Sequence, residues 1–400
     1  MSLTQTPSSE RIHIGFFGCT NAGKSSLVNA FTAQSISLVS PIKGTTTDPV
    51  KKAMELLPMG PVMIVDTAGF DDTGQLGDMR VLRTKKVLDT IDIAVLVRDA
   101  QIGTTNTDKE LESIIKEKKT PYIIAYNKSD LAPDFEEKEE NAICVSALTG
   151  KNIHQLKEMV ARLIPEKKEK SGIVDSFVKK NDFVIMVTPI DESAPKGRII
   201  LPQQQVLRNL LDIGATAIVV QVEQLAALIK NLKTPPNAVI TDSQAFKEVA
   251  QIVPCDIPLT SFSILLANYK GVLEEAVNAV SKIDLLNDGD KILIAEGCTH
   301  HRQCNDIGSV KIPNWIRKHT GKNIQFDIVS GTEFPDKLSD YSLVVHCGGC
   351  MITERDVLSR MKKAQNTDVP FTNYGILIAH MNGILKRSVE VFPHIYRKLV

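Results

Sequence analysis

Residues 18–25 read Gly-Cys-Thr-Asn-Ala-Gly-Lys-Ser and follow directly on a short apolar run at residues 12–17. This octapeptide matches the phosphate-binding loop Gly-x-x-x-x-Gly-Lys-Ser/Thr, and a helical stretch is expected from Ser26 onward. Glycines let backbone N–H groups curl around phosphate oxygens, and the start of the helix adds its positive end. We therefore predict a nucleotide site in which Lys24 reaches the β- and γ-phosphates and the Ser25 hydroxyl binds magnesium.

Three later motifs, each placed after a short apolar run, identify the nucleotide. Asp66-Thr67-Ala68-Gly69 predicts a carboxylate that holds magnesium through water. Asn127-Lys128-Ser129-Asp130 supplies a carboxylate that accepts from the N1–H and N2–H₂ groups of guanine, a donor pattern that adenine lacks. Ser146-Ala147-Leu148 would present backbone N–H groups to the guanine O6. The predicted ligand is therefore GTP rather than ATP.

A fifth motif, Gly44-Thr45-Thr46-Thr47-Asp48, lies between the first two and supplies a switch threonine, Thr46, for magnesium and the γ-phosphate. Each motif alone has an alternative interpretation as a polar loop. Five in this order, after predicted strands, favour a GTPase. The predicted nucleotide-binding residues are Gly18, Asn21, Ala22, Gly23, Lys24, Ser25, Ser26, Thr46, Asp66, Gly69, Asn127, Lys128, Asp130, Ser146, Ala147 and Leu148.

Composition places the chain among ordinary globular proteins of roughly two to three domains, with 400 residues, 43% hydrophobic and 24% charged. Its 47 basic and 47 acidic side chains balance, which argues against nucleic acid as the main partner. We find neither an apolar run of the ~20 residues that span a bilayer nor a secretory signal at the start. Seven cysteines, an odd and mostly scattered set, predict no disulfide framework and favour a cytoplasmic protein.

Predicted strands and helices alternate along the whole chain, which indicates an α/β protein with parallel sheets. The charged, apolar-poor run 165–172 is typical of a linker, and strand-like runs follow at 183–187, 217–220, 292–294 and 342–345. We predict three domains: residues 1–168, 173–270 and 271–400.

Two cysteine-containing segments near the C-terminus indicate a metal site. Cys298-Thr299-His300-His301 and His346-Cys347-Gly348-Gly349-Cys350 each follow a predicted strand, and ligands tend to gather at the carboxyl ends of parallel strands. Three thiolates fit an iron–sulfur cluster or a Cys₃His zinc site that uses His300 or His346. Buried cysteines that bind nothing remain a third interpretation. The other cysteines and histidines, His319 and His380 among them, are interpreted as ordinary core, loop or surface residues.

The GTPase motifs resemble those of the tRNA-modification GTPase and its ribosome-assembly relatives. In the potassium-activated members, the residue equivalent to Asn21 binds a monovalent cation, so the resemblance implies a K⁺ site. Phe70 stands where Ras-like enzymes carry a glutamine that positions water, and phenylalanine cannot do this. Asp78 is a candidate to orient that water, with an ordinary switch-loop aspartate as the alternative. The predicted catalytic residues are Lys24, Thr46, Asp66 and Asp78.

With both its GTPase motifs and its two cysteine segments, the chain resembles the FeFe-hydrogenase maturation GTPases over its whole length. The resemblance implies a middle dimerisation domain and a third domain that binds a 4Fe–4S cluster through Cys298, Cys347 and Cys350. It further implies a scaffold that receives a two-iron precursor from two radical-SAM maturases and delivers it to apo FeFe-hydrogenase, with GTP hydrolysis as a switch. Expected cofactors are GTP or GDP, Mg²⁺, K⁺ and the cluster. Candidates for the fourth cluster ligand are His300, His301, His346, Glu296 and Asp306.

Two other functions fit parts of the sequence. An RNA-modification or ribosome-assembly GTPase with a structural zinc domain would share the GTPase motifs, but we would expect a basic face and stacking aromatics. The chain has one Trp and 5% aromatic residues. A redox enzyme would use the cluster for electron transfer, and such carriers normally supply four cysteines per 4Fe–4S cluster.

Overall fold

The computed structural model describes residues 6–34, 50–70, 75–164, 171–190, 199–298, 306–331 and 333–399, without the side chains of 75–80. The chain divides into two compact units, Met1–Glu169 and Lys170–Val400. None of the helices in the described ranges is long and apolar enough to cross a membrane.

The first unit is a six-stranded sheet with helices between its strands. The sheet order is β2-β3-β1-β4-β5-β6; β2 runs antiparallel to β3, and the other neighbours are parallel. Its elements are β1 (Ile12–Gly18), α1 (Lys24–Thr32), β2 (Val50–Leu56), β3 (Gly60–Asp66), α2 (Gln75–Leu88), β4 (Ile93–Asp99), α3 (Asn106–Glu117), β5 (Tyr122–Asn127), β6 (Ala142–Cys144) and α4 (Ile153–Leu163).

Alternation along the central strands builds a hydrophobic layer on each face of this sheet. Ile14 and Phe16 of β1 pack into one cluster, while Phe17 packs into the other. Successive side chains of a strand point to opposite faces, so a parallel strand covered on both sides is apolar at nearly every position. This explains why the apolar runs before the nucleotide motifs are strands and why those motifs emerge together at the carboxyl edge.

The second unit contains two four-stranded sheets, both entirely parallel. Their orders are β10-β9-β7-β8 and β12-β11-β13-β14. The first sheet and its helices comprise β7 (Phe183–Val187), α5 (Leu201–Ile213), β8 (Thr216–Val220), α6 (Val222–Asn231), β9 (Ala238–Thr241), α7 (Phe246–Ile252), β10 (Leu259–Ser261) and α8 (Phe262–Tyr269). The second comprises α9 (Leu273–Ala279), β11 (Lys291–Glu296), α10 (Ile312–Thr320), β12 (Gln325–Ser330), β13 (Leu343–His346), α11 (Glu354–Asn366), β14 (Phe371–Asn373), α12 (Tyr374–Met381), α13 (Leu385–Ser388) and α14 (Pro393–Tyr396).

The two sheets share one continuous hydrophobic cluster. Compactness alone therefore does not separate them, and the boundaries drawn from the sequence at 168, 173 and 270 stay predictions. The α/β class with parallel sheets is confirmed, as are the strands expected near 183–187, 217–220, 292–294 and 342–345.

Candidate functional site

The loop between β1 and α1 is held close to its neighbours. Gly23 caps α1 with a φ of 83°, and a Cβ there would lie 2.3 Å from Nδ2 of Asn127. At Gly69 a Cβ would lie 2.2 Å from Oγ1 of Thr20, so the loop after β3 also packs on the phosphate loop. Only glycine fits both positions. The first N–H groups of α1 have no intrahelical acceptor and are available to bind an anion.

A magnesium-type ligand pair lies beside this loop. The Ser25 hydroxyl donates to Oδ2 of Asp66 at 2.8 Å. Asp66 is 1% exposed, and its other oxygen, Oδ1, is buried without a hydrogen-bond partner among the described residues. Because a buried carboxylate oxygen normally has a partner, this oxygen suits a hard cation such as Mg²⁺. Lys24 is buried and its Nζ donates to the carbonyl of Cys19 at 2.7 Å, across the same loop.

Asn127 connects two loops of the nucleotide site. Its Nδ2 donates to the carbonyls of Ala22 at 3.1 Å and Gly23 at 3.3 Å. Its Oδ1 accepts from the backbone N–H of Ala147 at 3.0 Å. The sequence predicted Ala147 as a donor to guanine, but here its N–H serves Asn127. The backbone N–H of Leu148, in an exposed residue, makes no hydrogen bond within the described ranges.

The turn after β5 places a lysine and a carboxylate for the base. Lys128 has a φ of 63°, and its Nζ lies 2.6 Å from Oδ2 of Asp99 at the end of β4. Asp130 is partly buried, and its carboxylate has no partner in the described part of the chain. That carboxylate is thus free to accept the two donors of guanine. The sequence analysis missed Asp99, whose only signal was its position at the end of an apolar run.

The remaining residues predicted for this site are Phe70, Asn21, Thr46 and Asp78. Phe70 is buried in the core with Phe17, so its ring cannot position water. Asn21 is exposed with a φ of 64°, and its role in K⁺ binding stays a prediction. Thr46 lies outside the described residues, as does the side chain of Asp78 in α2.

The C-terminal cysteines meet at the carboxyl edge of the last sheet. β11 and β13 are neighbours, with Ala295 paired to His346, and the N–H of Cys347 continues this pairing to the carbonyl of Ala295 at 2.9 Å. Cys298 follows β11 by two residues, and Cys350 lies in the turn after β13. The Sγ of Cys347 accepts from the N–H groups of Gly297 at 3.1 Å and Gly349 at 3.4 Å.

Electrostatic coupling shows that the three sulfurs are neighbours. Burial, then the nearby thiolates of Cys347 and Cys350, raise the pKa of Cys298 to about 12. Burial and Cys347 likewise raise the pKa of Cys350 to about 12. Burial also raises the pKa of Cys347, against the two backbone N–H donors. A metal ion that binds such thiols replaces their protons, so metal binding would offset the cost of ionising them here.

Two buried carboxylates adjoin Cys298. Glu296 and Asp306 both contribute to the raised pKa of Cys298, after burial and the other two cysteines. The hydroxyl of Tyr374 lies 3.4 Å from Oε1 of Glu296. Asp306 accepts from the N–H and hydroxyl of Ser309, both at 2.8 Å. Both carboxylates are therefore placed beside the thiols, as expected for candidate ligands.

The third described candidate, His346, is 1% exposed and engaged at both ring nitrogens. Nδ1 contacts the carbonyl of Cys347 at 2.7 Å, and Nε2 contacts Nη1 of Arg360 at 3.4 Å. A carbonyl only accepts and a guanidinium only donates, so this ring is neutral with its proton on Nδ1. Burial, followed by the charge of Arg360, lowers the pKa of His346 to about 3. In this structure His346 has no nitrogen to offer a metal. His300 and His301 lie outside the described residues.

Two buried cations flank the cysteines, and the sequence analysis missed both. Lys270 is 2% exposed, and its Nζ donates to the carbonyl of Ile352 at 2.9 Å. Burial is the main cause of the raised pKa of Cys350, and the charge of Lys270 opposes that rise. Nε of Arg360 lies 2.8 Å from Oδ1 of Asp356. Burial is the main cause of the raised pKa of Cys347, and the charge of Arg360 opposes that rise. Lysine after a helix and arginine within one are ordinary surface patterns, so nothing in the sequence marked them.

The fold and these residues define a GTPase that carries two further parallel α/β domains, the second with a half-buried group of three cysteines. Three family profiles match in chain order. A 50S ribosome-binding GTPase profile matches residues 13–128, the hydrogen maturase F dimerization domain matches 173–271, and the hydrogen maturase F tetramerization domain matches 274–391. The chain belongs to the hydrogen maturase F family of hydrogenase maturation GTPases. It therefore carries oligomerisation domains of two kinds, where the sequence analysis expected only one.

Curated relatives match part of the chain. GTPase Der of Wolinella succinogenes is 32% identical over 177 residues, covering 40% of this chain and 37% of that protein. GTPase Der of Nautilia profundicola is 34% identical over 168 residues, covering 38% and 36%. The chain thus spans less than half the length of these relatives. The solved G domain of the T. maritima FeoB iron transporter is 21% identical, with a TM-score of 0.31, and covers 38% of this chain and 99% of that one. The profile over residues 13–128 identifies the first unit as a GTPase domain, and the likeness to GTPase Der agrees with it.

Proposed function

We propose that this GTPase is a scaffold that holds a 4Fe–4S cluster on Cys298, Cys347 and Cys350 and delivers a two-iron precursor to apo FeFe-hydrogenase. The observation that carries the proposal is the convergence of three half-buried cysteines just after the ends of two adjacent parallel strands, where Cys347 raises the pKa of both other thiols. The match to two hydrogen maturase F domains supports a hydrogenase precursor as the cargo.

The spacing of the sulfurs favours a cluster over zinc. Tetrahedral zinc with Zn–S bonds of about 2.3 Å would hold its sulfurs roughly 3.8 Å apart. Among the described residues, the group of three ligand atoms that lie within 4.8 Å of one another is Asp284, His319 and His380, not the three cysteines. At least one pair of the three sulfurs therefore lies more than 4.8 Å apart, which suits a cubane because its irons bind cysteines at separate corners.

The surroundings supply what a buried, negatively charged group needs. Two backbone N–H groups donate to the Sγ of Cys347, and Lys270 and Arg360 place positive charge beside the thiols. Hydrogen bonds to sulfur and local charge set the reduction potential of such centres. When bound, a 4Fe–4S cluster on three cysteines supplies one iron whose fourth position exchanges ligands. Glu296 and Asp306, whose charges act on Cys298, would be the candidate ligands for that position until the cargo displaces them.

In the first unit, the chain's own residues carry the GTPase cycle. Lys24 and the start of α1 neutralise the phosphates, while Ser25 and Asp66 hold magnesium. Asp130 selects guanine, and Asn127 keeps the phosphate loop and the 146–148 loop in one arrangement. Thr46, Asp78 and a K⁺ ion at Asn21 complete the proposed site. Hydrolysis would reorder the switch loops and change contacts with the two radical-SAM maturases and the hydrogenase.

The test is the metal content of anaerobically prepared protein, measured as iron, sulfide and zinc, with EPR after dithionite reduction. We expect about four irons and four sulfides per chain and a reduced-cluster signal. Cys347→Ala should abolish the signal. Cys255→Ala is the matched control, since Cys255 is exposed and outside the site, and it should keep the full content.

A protein that binds one zinc and no iron after reconstitution would overturn the proposal. That result would instead favour an RNA-modification or ribosome-assembly GTPase with a structural zinc domain. Loaded protein should also activate apo-hydrogenase after incubation with the two maturases, and the Cys347→Ala protein should not. Failure of a cluster-loaded protein to do so would reject the delivery step alone.

A further inference from the structure

A second group of metal-ligand side chains lies outside the cysteine site. It consists of Asp284, in the short 3₁₀-helix Val280–Leu285, His319 in α10 and His380 in α12. Nε2 of His319 lies 2.8 Å from Oδ1 of Asp284, and Nε2 of His380 lies 2.8 Å from Oδ2. The three ligand atoms all lie within 4.8 Å of one another. Two imidazoles thus present the same nitrogen to the two oxygens of one carboxylate.

The C-terminal ends of three helices, each with a negative partial charge, meet at this group of side chains. His319 is in the last turn of α10, His380 is in the last turn of α12, and Asp284 is the penultimate residue of its 3₁₀-helix. Helix C-termini favour cations and disfavour a carboxylate. A carboxylate held where three such ends meet therefore requires positive charge, from protonated imidazoles or from a metal ion.

The ligand set and its exposure favour a metal. Two neutral imidazoles and one carboxylate form a common set of three protein ligands for zinc, which leaves one position for water. The side chains are 28%, 46% and 22% exposed for His319, Asp284 and His380, so the group is open to solvent on one side. Zinc bonds of about 2.0–2.2 Å hold ligand atoms roughly 3.3 Å apart, which requires the present contacts to open by only about 0.5 Å.

We propose that Asp284, His319 and His380 form a binding site for a divalent transition metal of the zinc class, distinct from the cysteine site. The ion would join three elements that are far apart in sequence, since Asp284 and His380 are 96 residues apart. Such a cross-link would stabilise the folded second unit. This proposal does not depend on the cluster or on hydrogenase maturation.

The experiment uses full-length protein stripped with a chelator and then dialysed against micromolar zinc. Zinc per chain is counted by mass spectrometry in the wild type and in Asp284→Asn, His319→Gln and His380→Gln. Zinc bound by the cysteines contributes equally to the wild type and to every variant, so the difference in zinc per chain measures the proposed site. His394→Gln is the control, because His394 is an exposed histidine outside the group.

Each of the three variants should bind about one zinc fewer than the wild type and the control. Zinc should also raise the thermal midpoint of the wild type and the control, but raise it less in the variants. Equal zinc counts in all proteins would overturn the proposal and leave an imidazole–carboxylate hydrogen-bond cluster. Far-UV circular dichroism and the thermal midpoint without zinc report whether the second unit of each variant, which holds all three residues, is folded. Asp284→Asn keeps the side-chain shape if the histidine variants do not fold.

Discussion

Asn127 joins the phosphate loop to the loop that follows β6, and its replacement by alanine tests whether the two loops act together. The substitution removes two donors to the carbonyls of Ala22 and Gly23 and one acceptor for the N–H of Ala147. All three bonds come from a side chain that is 1% exposed. The carbonyl of Gly23 still accepts from the backbone N–H of Leu27, whereas the N–H of Ala147 loses the acceptor that it has here.

The size of the effect follows from these three bonds. Each contributes a net ~0.5–1.5 kcal/mol, so their loss costs about 1.5–4.5 kcal/mol in total. If the nucleotide binds only the joined arrangement, every 1.4 kcal/mol weakens binding tenfold, which predicts roughly 10- to 1000-fold weaker binding of GDP and GTP. Asn127→Asp should be at least as harmful, because it keeps the acceptor but turns a carboxylate oxygen toward two carbonyls.

Titration with a fluorescent GDP analogue measures this affinity, and urea unfolding measures stability in parallel. Asn141→Ala is the matched control, since its amide makes one hydrogen bond, to the carbonyl of Tyr122 at 3.3 Å, and touches neither loop. It should lose little affinity. Affinity of Asn127→Ala within threefold of the control would refute the coupling of the two loops.

Three further predictions concern other residues. Lys24→Met should abolish GTP hydrolysis while iron content stays at the wild-type level; loss of iron would show that nucleotide binding and cluster binding are linked. Hydrolysis should be faster in K⁺ than in Na⁺, and Asn21→Gly, which tolerates the φ of 64°, should remove this difference; equal wild-type rates in both salts would reject the K⁺ site. Burial, the main cause, lowers the pKa of His346 to about 3 in the folded protein. As pH falls, this histidine therefore becomes protonated in the unfolded chain before it does so in the folded protein. Its contribution to the free energy of unfolding is full above pH 6.5 and should decline by up to about 1.4 kcal/mol per unit below it. Acid unfolding of apo-protein should be less steep in His346→Gln, and an unchanged slope would contradict this assignment.

Local pattern was sufficient for the strands and for locating the loops that carry the predicted nucleotide-binding residues. Strands covered on both faces must be apolar at nearly every position, which made runs such as 62–65 and 292–294 visible. The phosphate loop is visible because its chemistry requires fixed residue types at fixed spacing within one segment. Asn127 was assigned to the site by the same logic, but its role as a connector was not, since that depends on which loops meet.

Contacts between distant segments could not be predicted in the same way. Lys270, directly after α8, and Arg360, in α11, both act on the cysteines, and no local motif marks either residue as part of a site. His319 and His380 were interpreted as isolated, yet both contact Asp284. The surroundings of His346 could not be predicted either. A histidine next to a cysteine suggests a metal ligand, but its two ring nitrogens contact the carbonyl of Cys347 and the guanidinium of Arg360.

The amino-acid sequence alone determined the class of nucleotide, the α/β architecture and the three cysteines, because each depends on residue types at short range. The tertiary structure decided which charges surround those cysteines, which candidate ligands remain available and that Asp284, His319 and His380 meet. Parallel strands bring their carboxyl ends together whatever the length of chain between them. Residues 50 or 100 positions apart therefore become neighbours, and no local pattern records which ones.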